Sequence, residues 1–302
     1  MAKDIRQLIQ TQVTEDEQIG GMLAQYAKSP AFFYQKAPSD SRNGWGKQKY
    51  PRADFNVDFR QDHERKRAGT LTVNIWVTNE CTPTGNLDPD KAIEQRLIEI
   101  LSGTFYTSGG TTFCAEWDRS DEFTTEINTA THNTTPEVYG VTLTFDLMEF
   151  PEQITTTPDP VQALNVWTKQ YFKGLAAIGH DDLPEIWKPT DEHPAIYWRF
   201  EGSTSAKQTY AATWFNAVFD GHIIAESVAE RNRWIKAITE RMQNSGEVIL
   251  TDDSPMFINQ IAIRHNADPL RDGQLQLRGQ YGVLSTLDET AQRQMGGVVL
   301  RP

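Results

Sequence analysis

Two stretches of this 302-residue chain present the same elements in the same order, and that repetition restricts the fold more than any single motif does. The first runs from Tyr50 to Phe150. Tyr50-Pro51 leads into the alternating run Ala53–Phe59; a charged turn (Gln61–Arg67) and Gly69 follow, and Leu71–Val77 alternates again. Alternation of apolar and polar residues is the pattern of a half-buried strand. A helix is expected from Asp88, with Pro89 at its first position and Ile93, Leu97, Ile100 and Leu101 as its inner stripe. Strands close the stretch, the last being Val138–Phe150. In the second stretch, His193-Pro194 leads into Ala195–Phe200, a polar turn over Gly202–Gln208 and the run Tyr210–Phe219. A helix from Ser227 and strands at Glu247–Leu250, Gln260–Ile263 and Gln274–Leu284 complete it. Landmarks recur at an offset of about 140 residues, with few identities. The expected fold is therefore α+β, made of two tandem copies of a small, mostly antiparallel β-sheet module with helices packed on one face. A duplicated module is more often a building block than an enzyme.

The domains follow from this order: a first module over 1–150, a Pro/Thr-rich linker over 151–160, and a second module with a polar C-terminal tail over 161–302. Residues 4–28 carry apolar residues at helical spacing, and Thr14 with Glu17 has the capping-box spacing, so two short helices are expected to meet near Val13. Residues 31–49 read as an arm or long loop, 104–118 as one strand, and 119–137 as a Thr/Asn-rich excursion. Asp159 and Pro160 open the second module's leading helix, with Leu164, Trp167, Tyr171, Leu175 and Ile178 as its apolar face. Ser227 and Glu230 form a capping box for its central helix, whose stripe is Ala229 or Trp234, then Ile238 and Met242. The tail ends Gly296-Gly297-Val298-Val299-Leu300 and reads as an arm that docks elsewhere.

No apolar run reaches the ~20 residues that span a bilayer, and the N-terminus lacks an apolar signal core, so neither membrane insertion nor secretion is expected. The net charge is −12. That excludes a protein whose grip on nucleic acid comes from Lys and Arg neutralising phosphates, but suits a surface past which DNA slides without sticking. The two cysteines, Cys81 and Cys114, read as reduced and packed.

Chemistry is sparse. The six histidines are scattered; His180-Asp181-Asp182 is the nearest approach to a metal cluster and reads as an acidic turn. Asp54 and Asp58 resemble a nuclease carboxylate pair but lie on the polar face of an alternating strand, where a solvated or interfacial face is the plainer reading. Gly44-Trp45-Gly46-Lys47 lacks the strand and the Ser/Thr of a phosphate loop. No catalytic residue, cofactor or metal site is expected. Arg65, Lys66 and Arg67, at a hairpin tip, are candidates for pairing with an acidic neighbouring subunit, nucleic-acid contact being the alternative. Most of the eight tryptophans suit two small cores. Trp45 and Trp187 precede the strand pair at matching places in the two copies and are candidate anchors for a partner.

The leading helix Ile5–Tyr26, Tyr50-Pro51, the runs 53–59 and 71–77, the helix 90–101 and the strand 138–147 together resemble the tail terminator, or tail completion, proteins of long-tailed bacteriophages. The likeness covers about residues 1–150 and recurs more weakly over 160–290. It implies a structural virion protein of the tail or neck, assembled in the host cytoplasm. Such a protein is a homo-oligomeric ring that caps the tail tube protein, joins it to the head–tail connector protein and lets DNA pass through its lumen without specific binding. The duplication departs from single-module members and implies three or six chains per ring. The alternatives are another neck, tail or baseplate adaptor binding through 31–49 and 119–137, and a metal-dependent nuclease using Asp54, Asp58 or residues 180–182.

Overall fold

Asp4 starts the first helix: its carboxylate accepts from the Arg6 N–H at 3.3 Å, and the Gln7 side chain answers the Asp4 N–H, forming a capping box. The computed structural model describes residues 4–60, 67–83, 85–124, 138–153 and 155–284, and the chain divides into two compact units. Unit 1 comprises 1–151 together with 182–189, and unit 2 comprises 152–181 together with 190–302. No described helix is long and apolar enough to cross a membrane.

Unit 1 begins with α1 (Ile5–Glu15) and α2 (Glu17–Met22). They meet at Asp16 rather than near Val13. The Thr14 hydroxyl turns back to the Gln10 carbonyl at 2.8 Å, and Asp16 caps α2 by accepting from the Ile19 N–H at 2.9 Å. Arg96 lies 2.6 Å from Asp16 and holds its carboxyl below the usual range, with the Ile19 bond acting in the same direction. The helical reading of 23–28 fails, because Ala27 and Lys28 adopt positive φ and turn the chain into a small hairpin of β1 (Gln25–Tyr26) and β2 (Ser29–Pro30). Then come β3 (Phe32–Tyr34), β4 (Arg52–Phe59), β5 (Arg67–Thr78), α3 (Pro89–Leu101), β6 (Thr104–Ser108), β7 (Thr111–Thr124) and β8 (Val138–Pro151). The strand expected over 104–118 is a hairpin instead. Gly109 and Gly110 take φ of 60° and 84°, the paired left-handed conformation that a two-residue turn demands and glycine supplies without strain.

Unit 2 begins with α4 (Pro160–Tyr171), where Asp159 accepts from the Val161 and Gln162 N–H groups, and β9 (Ala176–Ala177). Leu175 and Ile178 are buried beyond the end of α4, whereas Tyr171 is exposed. Residues 182–189 carry β10 (Ile186–Trp187) and belong to unit 1. Unit 2 continues with β11 (Ala195–Gln208), β12 (Ala212–Ile224), α5 (Val228–Ser245), β13 (Glu247–Ile249), β14 (Pro255–Ile263) and β15 (Leu275–Leu284). The polar turn expected over Gly202–Gln208 is strand; the reversal lies at Thr209–Ala211, and β11 stays paired to β12 as far as Gln208↔Thr213. Its outer half is polar on both faces because both are exposed. The capping box of α5 is half formed: Ser227 Oγ accepts from the Glu230 N–H at 3.1 Å, but the Glu230 carboxylate takes the indole N–H of Trp234.

Both sheets are curled. In unit 1 the order is β10-β6-β7-β8-β5-β4-β3, and in unit 2 it is β13-β14-β15-β12-β11-β9. Neighbours run antiparallel except β3 with β4 and β9 with β11, which are parallel. The alternating strands turn one face to helices. In unit 1, Leu8, Ile9 and Val13 of α1 and Ile93, Leu97 and Leu101 of α3 pack with Phe55, Val73, Ile75 and Phe145. A polar tie crosses this layer: Tyr106 donates to Gln12 Oε1 at 2.5 Å, and Gln12 Nε2 donates to the Ile100 carbonyl at 2.6 Å. In unit 2, Leu164 and Trp167 of α4 and Ile235, Ile238 and Met242 of α5 pack with Ile196, Trp198, Phe219 and Leu277. The stripe of α5 therefore starts at Ile235, with Trp234 only half-buried.

Candidate interaction surfaces

Trp45 stands in the long segment between β3 and β4. Its ring meets Tyr26 at 5.1 Å and Phe33 at 5.8 Å, edge to face, and its indole N–H donates to the Ser39 carbonyl at 3.1 Å. The Arg52 guanidinium lies 5.5 Å from the Trp45 ring and 4.3 Å from the Tyr50 ring, and pairs with Asp40 at 2.5 Å. The indole thus fastens the base of a loop whose flanking residues, Lys47 and Lys49 included, are exposed. An irregular, exposed segment of this length is uncommon in a compact unit unless it carries function.

Trp187 has a different place from the one its sequence position implies. It lies in β10, paired with β6 at Trp187↔Phe105 and Ile186↔Tyr106. The indole stacks on Phe105 at 4.8 Å, and Lys188 Nζ donates to the Ser102 carbonyl at 2.7 Å, near the C-terminus of α3 where exposed carbonyls favour a cation. Trp187 is therefore committed to the edge of unit 1's own sheet, where unpaired backbone groups of β6 give it a reason to bind. Arg65 and Lys66 lie outside the described residues, as does most of the excursion 119–137. Arg67 heads β5, its backbone opposite Met148.

The carboxylates read as nuclease candidates part company. Asp58 is exposed, whereas Asp54 is 8% exposed and accepts from Asn74 Nδ2 at 2.8 Å and Trp76 Nε1 at 2.7 Å. Burial pushes the Asp54 carboxyl up, against the opposing pull of those bonds and of Arg52. The folded state then holds the Asp54 proton more tightly than the unfolded chain does. This contribution to stability is full below the ordinary carboxyl range, about pH 3.9, and fades as pH rises through the folded value. Urea midpoints should accordingly favour wild type over Asp54→Asn more strongly at pH 4 than at pH 7. A difference independent of pH would refute the assignment. Asp181, from the acidic turn, is occupied by Lys169 Nζ at 2.7 Å and the Ala177 N–H at 2.9 Å. Among the described residues, no group of three or more His, Cys, Asp or Glu side chains is placed to hold a metal ion.

Unit 2 offers two surfaces that sequence reasoning missed. Bulges in β11, between Phe200 and Gly202, and in β14, between Ile258 and Gln260, fall in one row across the sheet, Gly202↔Val218↔Arg278↔Gln260. Each adds a residue and bends its strand, and together they shape a groove of about 690 Å³ lined by Glu201, Thr204, Asn216, Asn259, Gln260 and Arg278 among others. Amides, a hydroxyl and two opposite charges suit hydrogen bonding to a polar surface. The second is the sheet edge at β13, three residues long, with Ile249 51% exposed and Phe257 on β14 41% exposed. In the strand order no described strand lies outside β13. An uncovered edge with apolar side chains is a template for pairing with another chain. Gly202 at φ 144° was the one sequence sign of the first surface; nothing short of the strand order marks the second. The sequence matches no family model and no curated protein.

Proposed function

We propose that this chain is a structural virion protein, a ring-forming tail terminator built from two tandem copies of one module. One observation carries the reading, the correspondence of strand order. Reading β6-β7-β8-β5-β4-β3 against β13-β14-β15-β12-β11-β9, every strand finds a counterpart in the same chain order. The one parallel neighbour falls at the same place in both, β3 beside β4 and β9 beside β11. A helix, α3 or α5, follows the first hairpin in each, and β7 and β14 each carry a bulge against the last strand. A module that covers one sheet face with helices and leaves an edge open has a physical reason to assemble head to tail, and such contacts generate a ring where the rotation between copies closes. The partners on this reading are the tail tube protein and the head–tail connector protein, with DNA passing through an acidic lumen that repels it.

Native mass spectrometry and light scattering on the purified protein test the reading. The expected mass is three or six times the 34.3 kDa chain, with ring-shaped particles in negative stain. A protein that stays monomeric at the highest attainable concentration overturns it.

A further inference from the structure

In unit 1 the outer side of β6 is closed by β10, which comes from the segment between the leading helix and the first hairpin of the second half of the chain. That segment holds Trp187, stacked on β6, and Lys188, bonded to the end of the helix that precedes β6. Its counterpart in the first half is the segment 35–49, between β3 and β4, which holds Trp45 and Lys47. The counterpart of β6 is β13, which follows α5 as β6 follows α3. Among the described residues no strand lies outside this β13 edge, and α5 ends beside it at Gly246, in the left-handed conformation at φ 71°.

Charge points the same way. Segment 35–49 carries Lys36, Arg42, Lys47 and Lys49 against the single acid Asp40, a net of 4 − 1 = +3, in a chain of net charge −12. The stretch 244–255, from the end of α5 through β13 to the start of β14, carries Glu247, Asp252 and Asp253 and no base, a net of −3. Glu247, Asp253, Lys47 and Lys49 are all exposed, so opposite patches of equal size are free to meet.

From these observations we infer that the β13 edge of one copy takes the Trp45 segment of a second copy as an added strand. Trp45 stays fastened to Tyr26 and Phe33 of its own copy, the side of the segment turned away from Tyr26 pairs with β13, and Lys47 reaches the carbonyls that end α5. The contact is heterologous, so each copy gives a segment and receives one, as a closed ring requires. The inference rests on the ring reading and names the surface that builds the ring.

The test is a charge exchange followed by native mass spectrometry and light scattering. Lys47→Glu/Lys49→Glu takes the segment from +3 to −1, and Asn244→Lys/Glu247→Lys/Asp253→Asn takes the edge from −3 to +1; each alone sets like charges against each other. Each variant by itself should raise the concentration for half-assembly by about tenfold or more, with its far-UV spectrum unchanged because only exposed side chains differ. Mixing the two restores complementarity at every contact of an alternating ring of six and at the two unlike contacts of a ring of three, so mixed assemblies should form at a lower concentration than either variant alone requires. Wild-type rings with unchanged mass in both variants would overturn this surface while leaving the ring reading standing. Loss of assembly that mixing does not restore, the outcome if the segment closed its own chain's edge, also overturns it. A monomeric wild type would instead remove the ring reading itself.

Discussion

Trp198→Ala should lower the unfolding free energy by about 3–5 kcal/mol, the range for deleting a large aromatic from a packed core. The side chain is 1% exposed, and its indole N–H donates to Thr168 Oγ1 of α4 at 3.0 Å, so the substitution removes packing and a buried hydrogen bond together. Its seat is made by the absence of a side chain opposite. Trp198 faces Gly221 across the β11–β12 ladder. A β-carbon at 221 would come within 2.8 Å of Trp198 Cζ3 and 3.1 Å of Leu275 Cβ. Gly221→Ala should therefore cost about 1–3 kcal/mol by overpacking. The two effects cannot be independent, because shrinking the indole frees the space that the added methyl needs. The double variant Trp198→Ala/Gly221→Ala should be more stable than the sum of its single losses implies. Urea unfolding followed by far-UV circular dichroism reads all four proteins. Strict additivity would show that indole and glycine do not share this space.

Gly140→Ala should be the most damaging small change in unit 1, costing about 3 kcal/mol or more. Gly140 pairs with Trp76 between β8 and β5, and a β-carbon there would overlap the carbonyl oxygen of Ile75 and stand 2.9 Å from Phe123 Cζ. A ring edge can swing aside, whereas the backbone of a central strand cannot move without breaking ladder bonds on both sides. Gly85→Ala is the control for backbone effects at a left-handed glycine, since it has φ 65° and open space around it. Its loss should stay near 1 kcal/mol. If both changes cost the same, the close approach of β5 to β8 at Gly140 is not what requires glycine.

Much of the mixed α+β layout is legible in the sequence because burial imposes period: Phe55, Val57, Val73 and Ile75 alternate since one face of each strand must meet helices. Caps at Asp159 and Ser227 are equally readable, being local chemistry. What escapes is decided at a distance. The outer half of β11 has no buried face, so no alternation marks it, and only its partner β12 makes it a strand. Asp54 reads as solvated by its place on the polar side, yet the strand register brings Asn74 and Trp76 to its two oxygens. Trp187 sits at the place in the second half that Trp45 has in the first, but the edge it completes is in unit 1. The β13 edge is invisible for the same reason, since an edge is defined by what does not pair with it.

The late arrival of β10 carries a consequence for synthesis. Thr107 and Trp187 are 80 residues apart in sequence, so a nascent chain has β6 to β8 in hand well before the strand that closes their border has left the ribosome. During that interval the border is exposed to other nascent chains, the situation in which β-rich intermediates aggregate. Translation speed across residues 110–190 thus becomes a determinant of yield, and a chain stopped at residue 151 would be left with that border permanently bare.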